Sequence, residues 1–109
     1  MEYEDVVTTV QGKYPELTQS GFGSLSGPGN IRPEAVQQCV MWLLKHDALD
    51  RRKTVNVKIS SYAWKHAVER ACGAYIAEGE FICAALYLGY KMKVEERNAF
   101  FNIRSVEKQ

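Results

Sequence analysis

The sequence has few of the residues that mark disulfide-rich, metal-binding or membrane-spanning proteins. Its three cysteines, Cys39, Cys72 and Cys83, form no Cys-x-x-Cys pair, and its two histidines form no His-x-x-x-His pair. We therefore expect no metal or cofactor, and we expect the cysteines to be small core residues in a reducing cytoplasm. No apolar run approaches the ~18 residues that cross a membrane, and the acidic start of the chain is unlike a signal peptide.

The sequence also lacks a large charge excess, since 14 basic and 13 acidic residues leave a formal net charge of +1. A protein that binds any polyanion through its overall charge is therefore not indicated. The two halves differ, however, because residues 1–49 carry three basic and six acidic side chains, whereas residues 50–109 carry 11 and seven. The near-neutral total thus conceals a mildly basic C-terminal half.

The stretch over residues 12–30 is rich in Gly, Ser and Pro, and it predicts a loop within a single domain of residues 1–109. Glycines are costly to order, and Pro28 removes a backbone donor. The stretch has no Gly-Lys-Ser/Thr sequence, so a phosphate-binding glycine loop is not expected. Phe22 and Leu25 either anchor this loop to the core or, if exposed, contact a partner protein.

Helical periodicity predicts three to four helices in a chain whose length and 46% hydrophobic content suit one globular domain. Pro33 and Glu34 suit a helix start, and Ser60 or Ser61 can cap a second helix. Gly73 suits the end of that helix. The expected helices cover residues 2–10, 33–46, 61–72 and 78–89.

A basic, alternating stretch, residues 51–60, predicts the strand element of the fold. Strand side chains alternate with period two, so residues 54–59 would have one apolar and one polar face. We expect this strand to pair with residues 99–103, whose composition also favours a strand, or with a second protomer. The chain is therefore predicted to be a mainly helical α+β domain. The apolar face would hold Val55, Val57 and Ile59, and the polar face would hold Thr54, Asn56 and Lys58.

The order of basic strand, capped helix, glycine and second helix over residues 51–90 resembles the ribbon-helix-helix family of DNA-binding proteins. In that family two protomers pair their strands into an antiparallel ribbon that lies in the major groove. The resemblance implies a homodimer that binds DNA, whereas an ordinary strand paired within the chain is the structural alternative. Residues 85–90 also resemble the turn of a helix-turn-helix, with residues 95–103 as its recognition helix. The base contacts implied by the ribbon are Thr54, Asn56 and Lys58, and the implied phosphate contacts are Arg51, Arg52 and Lys53.

One face of the predicted third helix is a candidate site for a protein partner. Tyr62, Lys65, His66 and Glu69 lie at helical spacings and share neighbouring surface. Glu69 can orient His66 or keep it charged, but no nucleophile or carboxylate pair is placed nearby to complete a catalytic set. We therefore expect a protein that acts by binding and not by catalysis.

Two segments, residues 61–66 and 98–103, resemble small proteins of phages and mobile elements. A phage inhibitor of a host nucleic-acid complex, such as an anti-CRISPR protein, would fit the size of the chain and its acidic N-terminal segment. The sequence thus leads to two hypotheses. One is a DNA-binding regulator that uses residues 51–58, and the other is a non-catalytic inhibitor that binds a host protein or nucleoprotein complex.

Overall fold

Four α-helices and two antiparallel hairpins form the part of the chain that the computed structural model describes, residues 2–22, 29–46, 51–96 and 98–104. The predicted α+β class with three to four helices is confirmed. Within these ranges no helix is long and apolar enough to cross a bilayer. The helices are α1 (Tyr3–Lys13), α2 (Pro33–His46), α3 (Ser61–Cys72) and α4 (Glu78–Tyr87). The strands are β1 (Leu17–Thr18), β2 (Gly21–Phe22), β3 (Met92–Glu95) and β4 (Asn98–Phe101).

The boundaries of α3 follow from the residues at its two ends. The Ser60 Oγ accepts a hydrogen bond from Ala63 N at 3.4 Å, which satisfies one of the unpaired donors of the first turn. Gly73 adopts a left-handed conformation with φ 72°, and its N–H donates to Glu69 O. The predicted helix is therefore confirmed at both ends.

Helix α4 is the centre of the hydrophobic core. Its residues 81–85 are fully buried, and the helix packs against α1, α2 and α3. A helix that is apolar on all sides belongs in the interior of a domain. Cys39 and Cys83 are fully buried in this core, and Cys72 is half-buried against it. The prediction that the cysteines are core residues is confirmed for the two buried ones.

The predicted loop over residues 12–30 contains the β1–β2 hairpin, in which Leu17 pairs with Phe22. The Thr18 hydroxyl donates to Gly21 O at 2.5 Å and closes the tight turn between the two strands. Phe22 is 8% exposed and packs in the core, so it anchors this segment and offers no contact surface. Leu25, the other residue singled out in this loop, lies outside the described residues.

Gly79 determines how closely the β1–β2 turn approaches α4. Its N–H donates to Gln19 O at 2.8 Å, and a Cβ atom at position 79 would lie 2.0 Å from Thr18 O. Only glycine therefore fits here without a shift of the backbone. The β1–β2 turn therefore packs directly against the first turn of α4.

The second hairpin pairs β3 with β4, with Met92 opposite Phe101 and Glu95 opposite Asn98. Along β4, Ala99 and Phe101 are fully buried while Asn98 and Phe100 are half-buried, which is the period of a strand. The helix-turn-helix interpretation, which requires a recognition helix over residues 95–103, is therefore wrong.

Residues 54–59 do not form the predicted strand. Asn56 N donates to Phe101 O at 2.8 Å, so the segment does lie beside β4, as predicted. The Asn56 Oδ1 then accepts from Lys58 N at 3.1 Å, a local side-chain bond that turns the chain out of the sheet direction. The turn also exchanges the expected positions of two residues, because Asn56 is 3% exposed and Val57 is 55% exposed.

Candidate functional site

Cations from three separate parts of the chain meet beside the base of the β3–β4 hairpin. Asn102, just after β4, holds them together, because its Nδ2 donates to Arg52 O at 2.9 Å and its Oδ1 accepts from Lys91 N at 2.8 Å. Lys91 Nζ donates in turn to Lys53 O at 3.0 Å, and Arg104 Nη2 donates to Arg51 O at 3.4 Å. We call this surface the basic cluster, and its members are Arg51, Arg52, Lys53, Lys91 and Arg104.

Arg51 is the member of the basic cluster that the structure holds most firmly. Its Nη2 donates to Leu88 O at 2.6 Å, at the C-terminal end of α4, where a positive charge complements the helix dipole. Its guanidinium carbon lies 4.0 Å from the centroid of the Tyr90 ring, which is within range of a cation–π interaction. Arg51 therefore connects the cluster to the core.

The other members of the basic cluster keep their charges near the surface. Lys53, Lys91 and Arg104 are exposed, and Arg52 is half-buried. Among the described residues, none pairs in a salt bridge with Arg51, Arg52, Lys53 or Lys91. The salt bridges that the described residues form lie elsewhere: they join Arg32 to Glu80, Lys65 and His66 to Glu69, and Lys93 to Glu95.

The side chains predicted to read bases do not form a reading edge. Thr54 and Lys58 are exposed, as predicted. Asn56 is buried, and its Nδ2 donates to Ile103 O at 3.2 Å while its Oδ1 accepts from Lys58 N. Both polar groups of this amide are bonded within the protein, so the prediction that Asn56 faces outward is wrong.

The second candidate surface is an open groove of about 530 Å³ beside α3, a volume within the range of ligand-binding sites. Two exposed tyrosines flank it, Tyr62 at 54% and Tyr75 at 61% exposure. The turn between β1 and β2 and the tip of the β3–β4 hairpin complete its walls. We call it the tyrosine groove, and its principal lining residues are Tyr62, Lys65, Tyr75, Glu78, Glu96 and Asn98.

Lys65 brings a buried positive charge to the tyrosine groove. Only 8% of its side chain is exposed, and its Nζ lies 5.4 Å from the centroid of the Tyr62 ring and 4.9 Å from that of Tyr75. The ammonium donates to Glu69 Oε2 at 3.2 Å. Its remaining N–H groups have no acceptor oxygen among the residues that the structure describes. Because buried donors are rarely left without an acceptor, Lys65 presents hydrogen-bonding capacity to the groove.

Glu69 connects the tyrosine groove to the predicted partner-binding face of α3. Besides Lys65, it accepts from Ile76 N at 2.9 Å, and its Oε1 lies 2.7 Å from His66 Nδ1. Burial acts to raise the pKa of Glu69, but the hydrogen bonds from Ile76, His66 and Lys65 outweigh burial and lower it. The carboxylate is therefore ionised at neutral pH, and its role is to position the residues around it.

The tyrosine groove contains Tyr62 and Lys65, two of the residues predicted for a protein partner, and His66 and Glu69 adjoin it. Sequence reasoning missed Tyr75 and Glu96. These residues reach the groove because the α3–α4 loop and the hairpin tip fold towards α3, and no periodicity or motif in the chain signals that approach. The basic cluster likewise contains Lys91 and Arg104, which lie far from residues 51–53 in sequence.

The buried thiols offer no nucleophile at neutral pH. Burial raises the pKa of Cys83 to about 12, and it raises the pKa of Cys39 well above the usual value of a thiol. In the described part of the chain, no group of three His, Cys, Asp or Glu side chains is arranged to hold a metal ion.

Comparison of the chain with models of known protein families, with curated proteins and with solved structures gives no match. The two functional hypotheses therefore have to be judged on the geometry and the charge of the basic cluster and the tyrosine groove.

Proposed function

We propose that the protein binds duplex DNA through the phosphate backbone, using the basic cluster. The observation that carries this proposal is that Asn102 bonds to the backbones of Arg52 and Lys91, while Lys91 Nζ donates to Lys53 O. These contacts bring the three cations to one edge of the fold. Phosphate contacts supply most of the affinity in sequence-independent DNA binding, and they require local positive charge. The net charge of +1 does not oppose the proposal, because these cations are concentrated at one edge of the fold.

The proposed mode of binding differs from a ribbon in the major groove. Specific readout requires amide or guanidinium groups that are free to bond to base edges. The amides of Asn56 and Asn102 are bonded within the protein, and the guanidinium of Arg51 is held by Leu88 O and the Tyr90 ring. Binding should therefore depend strongly on salt and little on sequence. The basic cluster is complete within one chain, so this mode does not require the predicted homodimer.

The test compares two triple variants that lose the same charge. The anisotropy of a labelled duplex of random sequence, titrated at several salt concentrations, gives the affinity and the salt dependence of binding. The cluster variant should bind more weakly, with a log–log salt slope reduced by up to about 2.7, or about 0.9 for each lost phosphate contact. The cluster variant is Arg52→Gln/Lys53→Gln/Lys91→Gln, and the control, at exposed positions on α1, α2 and α3, is Lys13→Gln/Lys45→Gln/Arg70→Gln.

An unchanged slope in the cluster variant would contradict the proposal, and equal losses in both variants would reduce the interaction to an effect of net charge. Circular dichroism of each variant confirms that it is folded. The same titration with single-stranded DNA and with RNA measures whether the duplex is preferred, and tighter binding of either would replace duplex DNA as the ligand.

A second candidate function is the binding of a protein partner at the tyrosine groove, as in an inhibitor of a host protein or nucleoprotein complex. The exposure of Tyr62 and Tyr75 favours it, since tyrosine is enriched in protein interfaces and its ring buries a large area. Proteins captured from a host lysate by the wild type should be lost with Tyr62→Ala. They should be retained by Tyr87→Ala, which changes a 38% exposed tyrosine outside the groove. Identical captures by both variants would contradict this function.

A further inference from the structure

We infer that the tyrosine groove accepts an extended, basic peptide segment of a partner protein. The inference rests on the second candidate function, and it adds the chemical class of the segment that is bound. Three properties of the groove carry it: the charge of Glu96 at its rim, the Lys65 N–H groups that have no acceptor oxygen among the described residues, and the two tyrosine rings.

The charge of the groove is complementary to a cationic segment. The positive charge of Lys65 is matched by Glu69 at 3.2 Å. Glu96 adds an exposed carboxylate to the lining, and among the described residues Lys65 is the only lysine or arginine there. The other lining carboxylate, Glu78, is buried and accepts a hydrogen bond from Ser61 Oγ. Glu96 is exposed, and no described residue forms a salt bridge with it. A lysine or arginine side chain that reaches the rim near Glu96 would therefore be attracted.

The Lys65 N–H groups that have no acceptor oxygen among the described residues determine which ligand groups suit the groove. A ligand carboxylate or phosphate could accept from Lys65, but it would then lie close to the carboxylate of Glu69, which accepts from the same ammonium, and like charges at close range are disfavoured. A peptide carbonyl oxygen accepts the same hydrogen bond without a net charge. The backbone of a bound segment therefore suits Lys65, while its basic side chain suits Glu96.

The two tyrosine rings suit the stem of a basic side chain. Lysine and arginine pack their methylene groups along apolar surface while their charged ends remain at polar groups, and tyrosine offers such a surface. Tyr62 and Tyr75 line the groove, and each is more than half exposed. A groove of about 530 Å³ accommodates only a short segment. In the extended conformation that segment would advance about 3.3 Å per residue.

The groove and the basic cluster lie at opposite ends of the β3–β4 hairpin. Glu96 and Asn98 are at its tip, whereas Lys91 and Asn102 are at its base. A basic segment is therefore repelled at one end of the hairpin and attracted at the other, which directs it to the groove. Peptide binding and DNA binding should consequently be separable by mutation.

In the experiment, a displayed library of random peptides is selected for binding to the wild-type protein. Peptides that also bind Tyr62→Ala are then removed. The selected peptides should contain more lysine and arginine than the starting library. Synthetic copies, measured by fluorescence anisotropy, should bind Tyr62→Ala about tenfold more weakly than the wild type. Absence of enrichment, or enrichment of acidic peptides, would overturn the inference.

A matched pair of variants tests the charge argument. Glu96→Gln should weaken binding of the selected peptides several-fold and reduce its salt dependence. Glu95→Gln should leave binding unchanged, because Glu95 pairs with Lys93 at 3.3 Å and does not line the groove. Equal affinities for Glu96→Gln and Glu95→Gln would overturn the inference.

Failure of this inference can be distinguished from failure of the two proposed functions, which are DNA binding at the basic cluster and partner binding at the tyrosine groove. If a captured protein depends on Tyr62 but the selected peptides are not basic, the second candidate function stands and the basic segment is wrong. The cluster variant Arg52→Gln/Lys53→Gln/Lys91→Gln should bind the selected peptides at least as tightly as the wild type. A loss of peptide binding in that variant would place the peptide at the basic cluster and overturn the inference.

Discussion

Replacing Glu80 by glutamine should remove a large part of the stability of the domain. Glu80 is fully buried, and its carboxylate accepts from Arg32 N at 2.8 Å, from Arg32 Nε at 2.9 Å and from Ala77 N at 2.7 Å. These bonds join the start of α2 to the first turn of α4. Arg32 Nη2 donates both to Glu80 Oε1 and to Tyr75 O, so the same ion pair fixes one wall of the tyrosine groove.

The magnitude of the loss follows from the donors that would be left without an acceptor. A glutamine accepts through one oxygen only, and its NH₂ group would face other donors. The Arg32 side chain is 32% exposed and can be partly rehydrated, whereas Ala77 is 2% exposed and its N–H cannot. Each buried unsatisfied donor costs about 1–3 kcal/mol, so we expect a total loss of about 2–4 kcal/mol. Domains of this size have stabilities of about 5–15 kcal/mol, and the Tm should fall by about 8–16 °C.

Urea denaturation followed by circular dichroism measures this loss for Glu80→Gln. The control is Glu4→Gln, which removes an exposed carboxylate from the first turn of α1 and should cost less than about 1 kcal/mol. If the two variants lose equal stability, the buried carboxylate does not hold α2 to α4, and the reasoning is refuted.

Three further predictions concern the close contact at α4, the acid stability and the thiols. Gly79→Ala should lower the free energy of unfolding, measured by urea denaturation, by about 2–3 kcal/mol, because the new Cβ would overlap a backbone oxygen. Gly12→Ala, which has open space around it in α1, should raise the free energy of unfolding by at most about 1 kcal/mol. Burial acts to raise the pKa of Glu69 in the folded state, but hydrogen bonding outweighs burial and lowers that pKa. The unfolded chain therefore binds more protons than the folded protein as the pH falls below about 4.3. The free energy of unfolding should therefore fall between that pH and the lower pKa of the folded protein, and Glu69→Gln should lack this part of the fall. If the stability of the wild type and that of Glu69→Gln fall equally with pH, this prediction is contradicted. A thiol reagent at mildly alkaline pH should label Cys72 in the folded protein and all three cysteines in urea, and rapid labelling of either buried thiol in the native state would contradict their burial.

The helices of this protein were predictable because their signals are local. Pro33 begins α2, and Ser60 and Gly73 bound α3 through contacts within a few residues of each end. The alternating pattern at residues 54–59 wrongly predicted a strand. Alternation reflects only the order of apolar and polar residues, and it gives no sign of the hydrogen bond from Lys58 N to Asn56 Oδ1 that turns the chain.

The amino-acid sequence by itself determined the helices, the α+β class and the basic character of residues 51–53. Only the tertiary structure decided which cations share a surface and which side chains line a groove. Arg52 and Asn102 are 50 residues apart in the chain, and Lys91 and Lys53 are 38 apart, yet each pair is joined by a hydrogen bond. Such contacts depend on how α4 and the β3–β4 hairpin pack in the core, and local patterns carry no record of that packing. For the same reason the chain shows Tyr62 and Tyr75 as unrelated residues, and only the fold makes them the two walls of one groove.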